Sequence, residues 1–146
     1  MSKAENAVQN FELYQCAQSV LAAYAGDFSL DKEKALSVAA GFGAGIGRLQ
    51  ETCGAVSGAI MALGLSSNFK ESDRRDKING VYAKARRFTD EFSAKMGTIK
   101  CRELIDCDLS TEEGQKIFRE QNRKEKCRDC VRLSCEILDR FLAEMS

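Results

Sequence analysis

The stretch INGVYAKARRFTDEFSAKM, residues 78–96, is the part of the sequence that most clearly indicates the fold. Its apolar side chains recur at intervals of three and four residues, which is the repeat of one face of an α-helix. The positions on this face are Ile78, Val81, Tyr82, Ala85, Phe88, Phe92 and Met96. Most of the charged residues between them lie on other faces. The pattern therefore predicts an amphipathic helix, which we extend back to about Asn68.

The same repeat occurs near the N-terminus, where it predicts a long helix over residues 4–24. The apolar face of this helix comprises Leu13, Cys16, Ala17, Val20, Leu21 and Tyr24. Gly26 is expected to end it. Ser29 and Asp31 have side chains that commonly cap a helix N-terminus, so a second, shorter helix is expected to follow and to end at about Ala40.

A glycine-rich turn is predicted at residues 41–47, GFGAGIG, and another helix at residues 48–65. Small residues recur along that helix at Gly54, Ser57, Gly58 and Ala62. Because glycine costs a helix about 1 kcal/mol relative to alanine, two glycines in one helix need a compensating reason. We predict that Gly54 and Gly58 are positions where another backbone or a bound group approaches closely.

The C-terminal part of the chain predicts a connector and two more helices. The connector covers residues 98–109, and Ser110 with Glu113 matches a capping box for a helix that ends at about Asn122. The last helix, over residues 127–142, is apolar at Cys130, Val131, Leu138, Phe141 and Leu142. No stretch alternates as a strand would. The sequence therefore predicts an all-α protein, a single bundle of about five to six helices in one domain spanning residues 1–146.

The composition excludes several classes of function. The chain contains no histidine, which excludes Ser-His-Asp and Cys-His catalysis, mixed Cys/His zinc sites and haem attachment through CxxCH. Lys plus Arg and Asp plus Glu both number 22, so no basic balance favours nucleic acid. No apolar run approaches the ~20 residues that span a bilayer, and no signal peptide is evident. We expect a cytoplasmic protein without membrane insertion.

Cysteine is the residue type that points to chemistry. The chain has seven: Cys16, Cys53, Cys101, Cys107, Cys127, Cys130 and Cys135. Their odd number argues against a fully paired disulfide framework, and clustered thiols in a reducing compartment more often bind metal or do redox work. Cys127 and Cys130 form a CxxC whose thiols share one helix face. That pair could chelate a metal or form a dithiol, or both cysteines could belong to the core.

The segment CGAVSG, residues 53–58, together with the separated Cys16, Cys101 and Cys127, resembles the family of redox-active proteins called C-GCAxxG-C-C. The resemblance covers nearly the whole chain and four segments match in order. Residues 41–47 correspond to the glycine-rich approach to the motif.

The C-terminal half carries the rest of the resemblance. The segment CREL, residues 101–104, matches the family's C-x-E-L connector, and Cys127 with Val131 matches its C-x-x-x-V final helix. The same arrangement is similar to the non-haem part of split-Soret cytochromes, for which an iron–sulfur cluster has been suggested.

The resemblance implies a site formed by four cysteines, Cys16, Cys53, Cys101 and Cys127, with an iron–sulfur cluster or zinc as its cofactor and no haem. Two alternatives stay open: metal-free thiol–disulfide exchange, and a structural or partner-binding helical protein with core cysteines. We leave the redox partner unassigned and allow for a homo-oligomer.

Three cysteines, Cys107, Cys130 and Cys135, fall outside the set of four. They are candidates for core residues, spare ligands or resolving thiols. Three arginines lie near the four cysteines in sequence and are expected to offset the charge of four thiolates. These are Arg102, Arg128 and Arg132.

Overall fold

Helices account for the regular structure of the protein, which a computed structural model describes over residues 1–144. Eight right-handed α-helices follow in this part of the chain: α1 Lys3–Asn10, α2 Cys16–Ala25, α3 Lys32–Ala39, α4 Gly54–Ser67, α5 Arg75–Met96, α6 Cys101–Ile105, α7 Glu112–Glu120 and α8 Lys124–Glu144. Over the same residues no strand forms, and Thr52 and Lys100 make an isolated antiparallel bridge. The predicted all-α class is confirmed, and the predicted number of helices, five to six, is too low.

The first reason for the difference is that the long helix predicted at residues 4–24 is two helices. Between α1 and α2 the chain turns, because the buried Asn10 side chain donates a hydrogen bond from Nδ2 to the carbonyl oxygen of Ser19, 3.1 Å away. Leu13 lies in this turn and is 79% exposed, so its assignment to the apolar face was wrong. The spacing of apolar residues contains no information about this hydrogen bond, which joins residues nine apart in the chain.

Helices α4 and α5 begin later than predicted. Residues 48–53 are not helical, since Arg48 and Gln50 have positive φ, and α4 begins only after Cys53, its N-cap. Asn68 ends α4 in the left-handed conformation (φ +50°), and α5 begins at Arg75.

The apolar face predicted on α5 is buried only in part. Phe88 and Phe92 are fully buried, whereas Tyr82 is 60% exposed. The spacing correctly predicts the helix, but it does not indicate how much of the face another element covers.

The C-terminal part agrees better with the prediction. Inside the predicted connector lies the short helix α6. The N-cap of α7 is Thr111 rather than Ser110, because the Thr111 hydroxyl accepts the hydrogen bond from the Gly114 N–H at 2.9 Å. Helix α8 buries Cys130, Val131, Leu138 and Phe141 of its predicted apolar face, with Leu142 half-buried.

The core lies between α2, α4 and α8, and α1 packs against α2 and α8. The backbones of α2 and α4 approach closely at the two glycines of the CGAVSG segment. A Cβ built on Gly58 would lie 2.7 Å from the carbonyl oxygen of Ala17, and one on Gly54 would lie 3.1 Å from Cys16 Cβ. This approach places Cys16 beside the start of α4.

Across residues 1–144, no helix is both long and apolar enough to cross a membrane. The predicted domain of residues 1–146 also includes Met145 and Ser146, which lie outside the described residues.

Candidate cysteine site

Four thiols lie close enough to Cys53 for their charges to interact with it, and the five together are here called the cysteine cluster: Cys16, Cys53, Cys101, Cys127 and Cys130. Each lies near the start of a helix. Cys16 and Cys101 are the first residues of α2 and α6, Cys53 is the N-cap of α4, and Cys127 and Cys130 lie in the first two turns of α8. Helix N-termini carry partial positive charge, which favours thiolates. The fold therefore brings the beginnings of four helices, each with a thiol, to one place.

Backbone hydrogen bonds hold Cys53 and Cys101 side by side. The N–H of Cys53 donates to the carbonyl oxygen of Ile99 (2.7 Å), and the N–H of Cys101 donates to that of Glu51 (2.7 Å). Between these two bonds lies the isolated bridge of Thr52 with Lys100. Residues 51–53 and 99–101 thus form a short antiparallel pair that positions both cysteines.

The glycine-rich segment adopts an uncommon backbone conformation beside Cys16. Residues 44–48 all have positive φ, between 52° and 70°, and so form a left-handed turn. At Gly45 only glycine fits, since a Cβ there would lie 2.6 Å from the backbone of Gln50. Such a conformation costs about 1–3 kcal/mol for each residue other than glycine, so the rest of the fold must stabilise it. Its result is that the backbone N–H of Ala44 contacts the Cys16 thiol.

Gln50 connects the cysteine cluster to the segment that follows α6. Its side chain is buried, donates from Nε2 to the carbonyl oxygen of Cys107 (2.8 Å) and accepts at Oε1 from the N–H of Leu109 (2.7 Å). It also hydrogen-bonds the Cys101 thiol. Nothing in the local sequence distinguishes Gln50 as a site residue, because its partners lie about 50 or more residues away.

The thiols of the cysteine cluster differ in acidity. Burial raises the pKa of Cys101 and Cys127 to about 12, and it raises the pKa of Cys16 well above its ordinary value. The hydrogen bond between Cys130 and Cys53 raises the pKa of Cys130 and lowers that of Cys53. The backbone N–H groups of Ala55 and Val56 lower the Cys53 pKa further, against the effect of burial. Cys53 is therefore the thiol of the cluster that ionises most readily.

The two remaining cysteines have different surroundings. Cys107 forms a small apolar group with Cys101 and Ile105, and half-buried Cys127 packs against that group. Cys135 lies on another face of α8, where the Tyr24 hydroxyl donates to its carbonyl oxygen at 3.1 Å. Of the three cysteines outside the predicted set of four, Cys130 thus belongs to the cluster, Cys107 borders it and Cys135 lies apart.

The three arginines near these cysteines in sequence pair with carboxylates. Arg102 pairs with Asp108, Arg128 with Glu12 and Glu125, and Arg132 with Asp129. Their charges are therefore partly neutralised. Burial raises the pKa of Cys107, and the nearby charges of Arg123 and Arg102 lower it by less.

A cavity of about 220 Å³ opens over the cysteine cluster. Its lining includes Cys16, Cys101 and Cys127, as well as the aromatic rings of Phe11 and Phe118. These three thiols are therefore reachable from outside by a small molecule, although Cys16 and Cys101 are less than one tenth exposed.

All seven cysteines are free thiols. In residues 1–144, no three His, Cys, Asp or Glu side chains are grouped so that they could hold a metal ion. The cysteine cluster thus supplies sulfur donors of the kind that a metal centre needs, but it is not a preformed metal site in the described residues.

Comparison with curated proteins gives no match, and comparison with solved structures gives none either. One family model matches residues 14–141, and its description is "Putative redox-active protein (C_GCAxxG_C_C)". The matched residues include all seven cysteines and most of the chain. This chain therefore belongs to the C-GCAxxG-C-C family.

Proposed function

We propose that this protein is a redox protein that holds an iron–sulfur cluster through the thiolates of Cys16, Cys53, Cys101 and Cys127. The observation that supports the proposal best is the convergence of these four thiols, each from the start of a different helix. Four thiolates are a common ligand set for iron–sulfur clusters and for zinc. The family description as redox-active favours iron–sulfur, since zinc has no redox chemistry.

The residues present fit such a centre in their chemistry. A bound iron–sulfur cluster would supply one-electron transfer at this site. Helix N-termini and the Ala44 N–H stabilise negative charge on the sulfurs. Gln50 holds Cys101 in place through a hydrogen bond to its thiol. Because burial keeps most of these thiols protonated in the metal-free protein, loading the site would release protons.

Anaerobic reconstitution with iron and sulfide tests the proposal. The full chain is expected to take up both and to develop visible absorption, and replacing any one of the four ligands by serine should greatly reduce the uptake. The matched control is Cys135→Ser, which removes a buried thiol of α8 that lies outside the cluster. Uptake of zinc alone would identify a zinc site instead. The proposal is wrong if the reduced protein takes up neither metal and all four thiols are alkylated rapidly.

A second candidate function is thiol–disulfide exchange, which the hydrogen bond between the Cys53 and Cys130 thiols favours. The Cys53 sulfur would attack a low-molecular-weight disulfide, forming a mixed disulfide and releasing one thiolate. The Cys130 sulfur, after losing its proton, would then attack Cys53 of that mixed disulfide. A Cys53–Cys130 disulfide forms, the second thiolate leaves, and the small disulfide has gained the two electrons that the protein has lost.

Mass spectrometry after oxidation by a small disulfide distinguishes the two candidates. The exchange reaction requires a Cys53–Cys130 bond, which Cys130→Ser abolishes, whereas that variant retains the four proposed metal ligands. If neither metal uptake nor this disulfide is found, the cysteines serve the core of a structural or partner-binding protein.

In either redox function we assign the protein to the cytoplasm, where free thiols persist.

A further inference from the structure

We propose that the cavity over the cysteine cluster is a binding site for a small organic anion, whose acidic group is held by Arg48 and Arg119. The inference goes beyond the proposed function, because it concerns a ligand of the cavity and not a metal held by the thiols. It follows from the size of the cavity, the charge of its lining and the backbone conformation at Arg48.

The cavity has the size and apolar character of a site for a small molecule. Its volume is about 220 Å³. An engineered apolar cavity of about 150 Å³ accepts benzene, so this cavity has room for a ring with an acidic substituent. Phe11, Ile105, Leu109 and Phe118 supply apolar surface for the body of such a ligand.

The charged residues of the lining are two arginines, and its twelve residues include no carboxylate. Over residues 1–144 neither the Arg48 nor the Arg119 guanidinium has a hydrogen bond or ion pair, whereas Arg102, Arg128 and Arg132 all pair with carboxylates. A guanidinium binds carboxylates and similar oxyanions through two parallel hydrogen bonds. Two unpaired guanidiniums at one cavity therefore select an anion.

A third positive charge lies close to the same cavity. The ammonium group of Lys124 stands 5.1 Å from the centre of the Phe11 ring, which is part of the lining. The lining itself carries two positive charges and no negative one, in a chain whose net charge is zero. This positive charge is expected to raise the concentration of small anions at the cavity.

The backbone conformation at Arg48 supports a role for this residue. Arg48 ends the left-handed turn with φ +69°, in a region where residues other than glycine are destabilised. Unfavourable conformations of this kind persist where the surrounding structure holds them, often at ligand sites. Arg119 lies near the end of α7, so the two arginines come from separate elements and border one cavity.

Binding of benzoate to the reduced full-length protein, followed by NMR chemical shifts, tests the inference. Benzamide is the neutral control, because it has almost the same shape without the charge. Benzoate is expected to bind at least about tenfold more tightly than benzamide. Arg48→Asn and Arg119→Ala should each weaken benzoate binding about five- to tenfold, and salt should weaken it as well. Asparagine is chosen at position 48 because it tolerates the left-handed backbone.

The matched control is Arg86→Ala on α5, which removes an exposed arginine that has no ion pair within residues 1–144 and lies outside the cavity. It should leave benzoate binding unchanged. The inference is overturned if benzoate does not bind, if benzamide binds equally well, or if Arg48→Asn and Arg119→Ala both bind benzoate like the wild type. Circular dichroism establishes that each variant is folded, and the uncharged variants Arg48→Gln and Arg119→Gln replace any that is not. Metal uptake by the arginine variants, measured separately, should equal that of the wild type. A negative result for benzoate binding can therefore be told apart from a negative result for the proposed metal centre.

Discussion

Helices α2 and α8 each contribute to two polar regions that behave differently. One is the cysteine cluster, to which they contribute Cys16, Cys127 and Cys130. The other, here called the tyrosine region, consists of Tyr24, Cys135 and Asp139. There the Tyr24 hydroxyl donates to the Asp139 carboxylate at 2.6 Å and to the carbonyl oxygen of Cys135 at 3.1 Å.

The comparison of Cys130 with Cys135 shows what distinguishes the regions. Both are buried on α8, five residues apart, but five residues rotate the side chain by about 140° around the helix. Cys130 therefore contacts Cys53, whereas Cys135 lies next to Tyr24. Burial raises the pKa of Cys135 to about 12, with no other thiol involved. A buried cysteine becomes a candidate for chemistry only where other thiols and helix N-termini surround it.

The largest expected effect comes from breaking the contact that assembles the cysteine cluster. In Gly58→Ala the new Cβ would lie 2.7 Å from the carbonyl oxygen of Ala17, so α2 must move away from α4. We expect the free energy of unfolding in urea to fall by about 1–3 kcal/mol. Metal uptake should fall too, because Cys16 directly precedes Ala17.

Gly64→Ala is the matched control for this change. Gly64 lies on the same helix, and a methyl group added there would meet no atom of another element within 4 Å. Alanine there should stabilise the protein by up to about 1 kcal/mol through helix propensity. If both glycine variants are equally destabilised, the close approach of α2 and α4 does not explain the result at position 58.

Breaking the tyrosine region is expected to affect stability without affecting the cysteine cluster. Tyr24→Phe removes the hydroxyl that donates to Asp139 and Cys135. Since Asp139 is exposed and can bind water instead, the free energy of unfolding should fall by about 1–2 kcal/mol. Metal uptake should equal that of the wild type. A loss of metal in this variant would mean that the two regions are coupled.

The tyrosine region should also make stability depend on alkaline pH. Burial raises the pKa of Cys135 above that of the unfolded chain, Asp139 and Glu136 raise it further, and Tyr24 and Lys3 lower it. Its protonated form is thus favoured by folding. The resulting stability is complete below about pH 9 and is lost as the pH rises toward 12. Tyr24, whose pKa burial also raises, contributes in the same direction.

The free energy of unfolding of metal-free protein, measured at several pH values above 9, tests this dependence. The slope of the free energy of unfolding against pH should be smaller in Cys135→Ala by up to about 1.4 kcal/mol per pH unit, the value for one proton. Ser134→Ala is the control at the neighbouring buried position and should leave the slope unchanged. An unchanged slope in Cys135→Ala would show that this thiol does not titrate differently in the folded protein.

The smallest expected effect is that of Ser134→Ala itself. The Ser134 hydroxyl is buried and, among residues 1–144, has no hydrogen-bond partner. Burying an unpaired hydroxyl is unfavourable, so Ser134→Ala should be neutral or should stabilise the protein by up to about 1 kcal/mol at neutral pH. A clear loss of stability in urea unfolding would show that the hydroxyl makes a contact after all.

Much of the fold could be predicted because helix formation depends on near neighbours in sequence. The spacing at Phe88 and Phe92 correctly predicted α5, and the apolar residues of α8 correctly predicted the last helix. The breaks between helices were harder to predict. The turn after α1 depends on the hydrogen bond from Asn10 to Ser19, and the late start of α4 depends on backbone pairing of Cys53 with Ile99.

The helical class, the family and the order of its cysteines follow from the amino-acid sequence, because these depend on spacings along the chain. Other features required the packed fold: that Cys130 contacts Cys53, that Gln50 binds Cys101, and that Arg48 and Arg119 border one cavity. The physical reason is distance along the chain: these partners are separated by about 50 or more residues. Only the packing of α2, α4 and α8 brings them together.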